Sequence, residues 1–295
     1  MTAKAPKMAF IGLGTMGAPM AHNLIAQGFD LSVCDENAAA LVGFEGVARF
    51  VTRDPAEAAR DCNFIMTILP TSDIVETVLF GEEGALSTAA PNCLVIEMST
   101  GSYSKLMQMA SRLKALGHRL IDAPVGRSKR EAATGNLLVM AGGSEADIAQ
   151  ATPVFDAVGD TCVHMGPQGS GLKIKLVNNY MSMINTVLTG EVLALAQHVG
   201  LDLEKAVSVM STTAAGMGQL NTNYPQKVLA GDLSPDFPIF MAIKDLTMAL
   251  ELAQTSESPA RFGKLARTIL RDAEAHGMGD LDQTAVLKFL EKAGG

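Results

Sequence analysis

The chemically richest stretch of the chain is Gly169-Ser170-Gly171-Leu172-Lys173-Ile174-Lys175-Leu176-Val177-Asn178-Asn179-Tyr180-Met181-Ser182. In a helix turning about 100° per residue, Lys175, Asn178, Asn179 and Ser182 stand at i, i+3, i+4 and i+7 and form one polar stripe. Leu176, Val177, Met181, Met183 and Ile184 flank it, so the stripe is expected to face a cleft rather than open water. A lysine held there can give a proton to a developing alkoxide, and desolvation draws its pKa down toward working pH. The plainer reading of the same spacing is a helix with one solvated edge.

A second constellation is Gly12-Leu13-Gly14-Thr15-Met16-Gly17, which follows the apolar run Met8-Ala9-Phe10-Ile11 and opens a helix. In that context Gly12 permits the tight turn, Gly14 lets a pyrophosphate approach the backbone, and Gly17 lets helix and strand pack. The helix start supplies N–H groups and positive potential. Asp35 ends the next apolar run, 23 residues after Gly12, where a carboxylate accepts adenosine ribose hydroxyls and repels a 2′-phosphate. No arginine follows within Asp35-Glu36-Asn37-Ala38, so the expected cofactor is NAD(H) rather than NADP(H). Otherwise Asp35 merely ends a strand.

The third is Asp122-Ala123-Pro124-Val125-Gly126-Arg127-Ser128, at the end of an apolar run, where doubly wound sheets place ligands. The planar donor fork of Arg127 suits a carboxylate, sulfonate or phosphate. On sequence alone Arg127 could equally belong to the solvated charge run Lys129-Arg130-Glu131.

These residues need elements to hold them. Met8 to Gly12, Leu31 to Asp35, Phe64 to Leu69, Leu94 to Met98, Arg119 to Ala123 and Leu137 to Ala141 read as strands. Between them Pro19 to Gln27, Pro55 to Asp61, Ser72 to Leu79, Ser102 to Leu116 and Glu145 to Ala157 read as helices. Such alternation predicts an α/β Rossmann-type doubly wound sheet, mostly parallel, with helices on both faces. After the turn Gly166-Pro167-Gln168-Gly169-Ser170-Gly171 the strand signal ends, and an all-α C-terminal domain follows. The expected domains are 1–166 and 167–295, the second entered by a helix over about 172–198, about 39 Å long at 1.5 Å per residue. A helix of that length is expected to connect domains or subunits.

With 295 residues the chain can bury a sizeable core in about two domains. Its formal charge of −8 opposes a phosphate-backbone ligand, so nucleic acid is not an expected partner, and any small anion must be held by local cations and N–H groups. Cys34, Cys62, Cys93 and Cys162 are far apart, with no CxxC pair. No metal site is expected, and a reducing cytoplasm is the expected compartment. Met1 to Lys7 leads into an apolar segment too short for a signal peptide. Tyr180 to Val199 includes Ser182, Asn185, Thr186, Thr189, Glu191 and His198, so it reads as a buried helix rather than a membrane span.

The chain resembles the β-hydroxyacid dehydrogenase family, which includes 3-hydroxyisobutyrate dehydrogenase. The likeness rests on Phe10-Ile11-Gly12-Leu13-Gly14-Thr15-Met16-Gly17, Asp122-Ala123-Pro124-Val125, Gly169-x-Gly171-x-x-x-Lys175-x-x-Asn178-Asn179 and Lys244-Asp245-Leu246, in that order along nearly the whole chain. It implies Lys175 as catalytic acid/base, with Leu69, Pro70, Thr100 and Lys244 along the nicotinamide side of the cofactor. For Lys244, a helix-start charge beside Asp245 is the alternative. Most of the family follows the Asp-Ala-Pro-Val tetrad with Ser-Gly-Gly, whereas this chain has Gly126-Arg127-Ser128. That departure is similar to the sulfolactaldehyde reductase branch, and implies that Arg127, Asn178 and Ser182 hold a sulfonate. The segment Thr213 to Leu220, with Met217 and Gln219-Leu220, departs from the branch.

The expected activity is therefore NADH-dependent reduction of a short anionic aldehyde, with 3-sulfolactaldehyde giving 2,3-dihydroxypropane-1-sulfonate. Lys175 would protonate the oxygen, and Asn179 would position the lysine or the substrate hydroxyl. A carboxylate substrate, with 3-hydroxyisobutyrate, 4-hydroxybutyrate or tartronate semialdehyde chemistry, is the enzymatic alternative. A non-catalytic NAD-binding sensor has no use for Lys175 and its stripe, and imine reductases of similar architecture usually lack the lysine. The resemblance and the long apolar helix imply a homodimer or homotetramer.

Overall fold

The structure is a computed structural model that describes residues 6–293, so the reading of Met1 to Lys7 lies largely outside the described residues. In the first part of the chain the strands are β1 (Lys7–Ile11), β2 (Asp30–Cys34), β3 (Phe50–Thr52), β4 (Phe64–Thr67), β5 (Leu94–Glu97), β6 (Arg119–Asp122), β7 (Val125–Gly126), β8 (Leu137–Gly142) and β9 (Gly159–Gly166). The helices among them are α1 (Gly17–Ala26), α2 (Ala38–Leu41), α3 (Pro55–Ala59), α4 (Ser72–Phe80), α5 (Tyr103–Ala115), α6 (Lys129–Ala133) and α7 (Glu145–Val158). Side-chain caps start several of them: Asp54, Thr71, Ser102, Ser128 and Ser144 each accept backbone N–H groups of the following first turn.

The strands form one sheet in the order β3-β2-β1-β4-β5-β6, all parallel. The order reverses between β1 and β4, the switch point at which such sheets bind ligands. Beyond β6 the sheet turns antiparallel. β8 pairs with Asp122 of β6 and with Val125 and Gly126 of β7 in one continuous register, and β9 runs parallel to β8. β6 and β7 thus lie end to end, and β7 carries the chain past the C-terminal edge of the parallel strands. Both faces of the central strands β1, β4 and β5 are buried. In β1, Met8 and Phe10 enter one apolar cluster with α1 and α7, while Ala9 and Ile11 enter another with α3, α4 and α5.

The remaining helices are α8 (Ser170–His198), α9 (Leu203–Ser211), α10 (Ala214–Met217), α11 (Asn223–Gln226), α12 (Ile239–Thr255), α13 (Arg261–Ala273) and α14 (Val286–Ala293). No strand occurs among the described residues after β9. By packing, the chain forms two units, Met1–Tyr180 and Met181–Gly295, which divide within α8. In the second unit Glu191 caps α13 by accepting the N–H groups of Arg261, Phe262 and Gly263, and Ile239, Ile243, Ala273 and Ala285 form a small core.

The segment Tyr180 to Val199 is helical, and no described helix is long and apolar enough to cross a membrane. Its expected burial is corrected by the structure. Tyr180, Met183 and Val187 are 73, 61 and 58% exposed in the single chain.

Candidate active site

Close backbone approach dictates the glycines between β1 and α1. Gly12 has φ +103°, and a Cβ there would lie 2.3 Å from the Ile68 carbonyl oxygen. A Cβ on Gly17 would lie 1.9 Å from the Gly12 carbonyl oxygen. Neither obstacle is a side chain that could swing away. At Gly14 an added Cβ meets no protein atom within 4 Å, so internal packing does not require glycine and the open side is the one a ligand backbone could use. Met16 at the start of α1 offers no side-chain cap, which leaves N–H groups for an external acceptor.

Asp35 follows β2 directly. Its Oδ2 accepts the Leu13 N–H at 2.6 Å and its Oδ1 the Asn37 N–H at 2.8 Å, so the carboxylate ties the glycine loop to β2 and is held in a fixed orientation. Loop, Asp35, Leu69 and Pro70 line one cleft of about 440 Å³. An anion-ready helix start and a fixed acceptor at its far end fit a dinucleotide.

Arg53 lines the same cleft, and sequence reasoning missed it. Asp35-Glu36-Asn37-Ala38 holds no cation, but parallel pairing of Cys34 with Thr52 brings the residue after β3 beside the residue after β2. The Arg53 Nε donates to the Glu36 carbonyl at 3.0 Å. The available signal was the short β-branched run Val51-Thr52 before Arg53-Asp54-Pro55.

On the other flank, the Leu69 N–H donates to the Ser99 hydroxyl at 2.8 Å, and Thr100 is exposed on the loop between β5 and α5. Lys175 rises from this same unit. The start of α8 is clamped by the buried Asp122, whose Oδ1 accepts the Gly169 N–H at 2.6 Å and Oδ2 the Leu172 N–H at 2.8 Å. Burial pushes the Asp122 carboxyl up, and these N–H groups oppose the shift. The contact is close: a Cβ on Gly171 would lie 2.2 Å from the Met140 carbonyl oxygen and 2.6 Å from that of Asp122.

Lys175, one to two turns beyond this clamp, is half-buried, and burial lowers its ammonium pKa. Asn178 is exposed and its Nδ2 donates to Asn179 Oδ1 at 3.4 Å. Ser182 is exposed on the same helix, within the second unit. Thus of the expected stripe only Lys175 and Asn179 are partly covered. Lys244 lies on α12, also in the second unit, with its Nζ 3.0 Å from Asp245 Oδ1.

Arg127 follows β7 and has φ +76°, left-handed for a non-glycine residue. It is separate from the exposed run on α6, where Ser128 and Glu131 form a capping box. Its guanidinium Nη1 lies 2.7 Å from both carboxylate oxygens of Asp160 and also donates to the Asn136 carbonyl. The residue is on the ligand side of the sheet, with its Nη1 engaged by Asp160 and Asn136.

Comparison with known proteins agrees with this geometry. Residues 7–166 match the family model described as the NAD binding domain of 6-phosphogluconate dehydrogenase, and residues 169–290 the one described as NAD-binding of NADP-dependent 3-hydroxyisobutyrate dehydrogenase. The chain is 41% identical to the 3-sulfolactaldehyde reductase of Escherichia coli, over 98% of this chain and 97% of that one. It is 30% identical to human mitochondrial 3-hydroxyisobutyrate dehydrogenase, over 99% and 88%. Among solved structures, the Mycobacterium tuberculosis 3-hydroxyisobutyrate dehydrogenase with L-serine aligns at a TM-score of 0.67 and 28% identity, over 97% of this chain and 99% of that one. Fold, cleft and relatives agree that the chain belongs to the β-hydroxyacid dehydrogenase family, as an NAD-dependent oxidoreductase acting on CH–OH groups.

Proposed function

We propose that the chain reduces a short anionic aldehyde with NADH, foremost 3-sulfolactaldehyde to 2,3-dihydroxypropane-1-sulfonate. One observation carries this reading: Arg127, where most of the family has a glycine, is set beyond the C-terminal edge of the parallel strands in a chain 41% identical to a 3-sulfolactaldehyde reductase. A sulfonate keeps its charge at neutral pH and has three acceptor oxygens, so a fixed guanidinium with neutral donors suits it. Arg127, Asn178 and Ser182 are assigned to the sulfonate.

The bound nicotinamide supplies the hydride. Lys175 gives the proton to the carbonyl oxygen, a role that its burial-lowered pKa supports. Asn179, one turn on, orients Lys175 or the nascent hydroxyl. Gly12, Leu13, Gly14, Thr15, Met16, Gly17 and Asp35 are assigned to the dinucleotide, with Leu69, Pro70 and Thr100 on its nicotinamide side and Lys244 by the family motif alone. Residues 1–166 are taken as the cofactor domain and 167–295 as the helical domain. The preference for NADH rests on the fixed Asp35 carboxylate.

A second reading, a carboxylate substrate as in 3-hydroxyisobutyrate dehydrogenases, gains weight from the pairing of Arg127 with Asp160, since that pair could be structural. NADH oxidation with 3-sulfolactaldehyde beside succinic and methylmalonate semialdehydes separates them. The sulfonate reading fails if either semialdehyde has the higher kcat/KM. The exposed apolar residues of α8 support a homodimer or homotetramer, testable by light scattering, and four free cysteines, three of them buried, support a cytoplasmic setting.

A further inference from the structure

Behind the cofactor cleft two buried carboxyls stand side by side. Glu97 ends β5 and Asp122 ends β6, and the two are direct partners across the parallel pair, where strands lie about 4.8 Å apart. Each is committed to a different part of the machinery. Glu97 Oε1 accepts the Ser99 N–H at 3.0 Å, and the Thr67 hydroxyl donates to Oε2. Ser99 in turn accepts the Leu69 N–H, so Glu97 sets the loop that carries Thr100 against Leu69 and Pro70. Asp122 holds the N-terminus of α8, and with it the helix of Lys175.

We propose that Glu97 is a positioning residue that, lodged against the Asp122 clamp, locks the nicotinamide-side loop and the Lys175 helix into one arrangement. The inference rests on the dehydrogenase chemistry and is independent of which anionic aldehyde is the substrate.

The pair can be neighbours because only one of them carries charge in the working state. Asp122 has backbone N–H donors that stabilise its charge. Glu97 is enclosed by Ser72, Leu106, Met109, Leu172 and Asp122, and Asp122 is the one other ionisable group lining that small cavity. Burial, aided by the Asp122 charge, pushes the Glu97 carboxyl up to about 7. A neutral Glu97 keeps every contact: one oxygen still accepts from Ser99, and the other donates to the Thr67 hydroxyl. Ionisation places two like charges in one dry pocket and presses the loop and the helix start apart. Glutamine has the same shape and can make both bonds without ionising.

The test compares wild type, Glu97→Gln and Glu97→Ala by NADH affinity from fluorescence titration and by Tm, each between pH 5.5 and 8.5. In wild type the NADH Kd should rise by at least about threefold as pH passes about 7, because the unpaired charge must be accommodated. Glu97→Gln should match wild type at pH 6 and stay flat above it, while Glu97→Ala should bind weakly at every pH. The unfolded carboxyl ionises below the folded one, so wild type loses stability as pH rises from about 4.3 to about 7. The Tm of Glu97→Gln relative to wild type should therefore climb over the upper part of that window. Flat, superimposable NADH and Tm profiles for wild type and Glu97→Gln would overturn the proposal, whatever aldehyde is turned over. If Glu97→Ala fails to fold, the glutamine comparison still decides.

Discussion

The Arg127 guanidinium is held by Asp160, with Nη1 2.7 Å from both carboxylate oxygens, directly after the short strand β7. Both side chains are well exposed. Solvent screens such a pair, and an incoming sulfonate offers the guanidinium an equivalent partner in a less hydrated setting. Arg127→Gly should therefore lower kcat/KM for 3-sulfolactaldehyde by ~30- to 1000-fold. Stability should hold, since glycine relieves the left-handed backbone at φ +76°. Asp160→Asn frees the guanidinium and should change kcat/KM less than about threefold, or lower KM. Equal losses in the two variants would make the pair structural and favour the carboxylate reading.

Lys175→Ala should lower kcat by ~10²–10⁴-fold and leave the NADH Kd within a few-fold, because its assigned work is proton transfer. The pH dependence has a definite sign. Burial lowers the Lys175 pKa, so its acid form is lost at a lower pH than for a free lysine. Aldehyde reduction should fall as pH rises through that value, and alcohol oxidation, which needs neutral Lys175, should rise. Profiles in both directions check this, and two limbs of the same sign would remove Lys175 from the proton path.

At the end of the cleft proposed for adenosine, the Asp35 carboxylate would repel a 2′-phosphate and the Arg53 guanidinium would attract it. The fixed carboxylate should keep kcat/KM with NADH at least ~10-fold above NADPH, a ratio that needs only ~1.4 kcal/mol. Arg53→Ala should widen that gap by lowering NADPH efficiency while NADH stays within a few-fold. Steady-state kinetics with both cofactors decide it, and equal loss with both would assign Arg53 to the adenosine rather than to the phosphate.

What the sequence makes legible here is whatever repeats locally. The strands around Phe10, Val33, Ile65 and Val95 are continuous apolar runs because both faces of the sheet are covered, and the helices between them announce their caps. β3 and β7 are hidden because three and two residues carry no period, and β9 because five of its eight residues are exposed. The glycine loop and Lys175 are motifs, readable without the fold. Arg53 and the Glu97–Asp122 pairing are not, since each depends on strand register between segments 18 and 25 residues apart in the chain. The partner of Arg127 is likewise set by register, through β9, and so was out of reach of local reading.

The fit of α8 against the sheet gives the last prediction. Gly171 sits where any Cβ would run into the Met140 and Asp122 carbonyl oxygens, and Gly142 faces it with a hypothetical Cβ 2.7 Å from the Gly171 nitrogen. These obstacles are backbone, so Gly171→Ala can be accommodated only by lifting the helix start away from Asp122. Overpacking of this kind costs ~1–3 kcal/mol, and the lifted turn moves Lys175 without touching the glycine loop or Asp35. Gly171→Ala should therefore lower Tm by several degrees and kcat by ~10- to 100-fold. Gly190 on the same helix is the control, because a Cβ there meets no atom within 4 Å. Gly190→Ala should leave kcat unchanged and raise stability by ~0.5–1 kcal/mol through helix propensity; a loss there would report a neighbour on α8 that the single chain does not have. A Gly171→Ala enzyme with wild-type Tm and kcat would mean that the clamp at Asp122 does not set the position of Lys175.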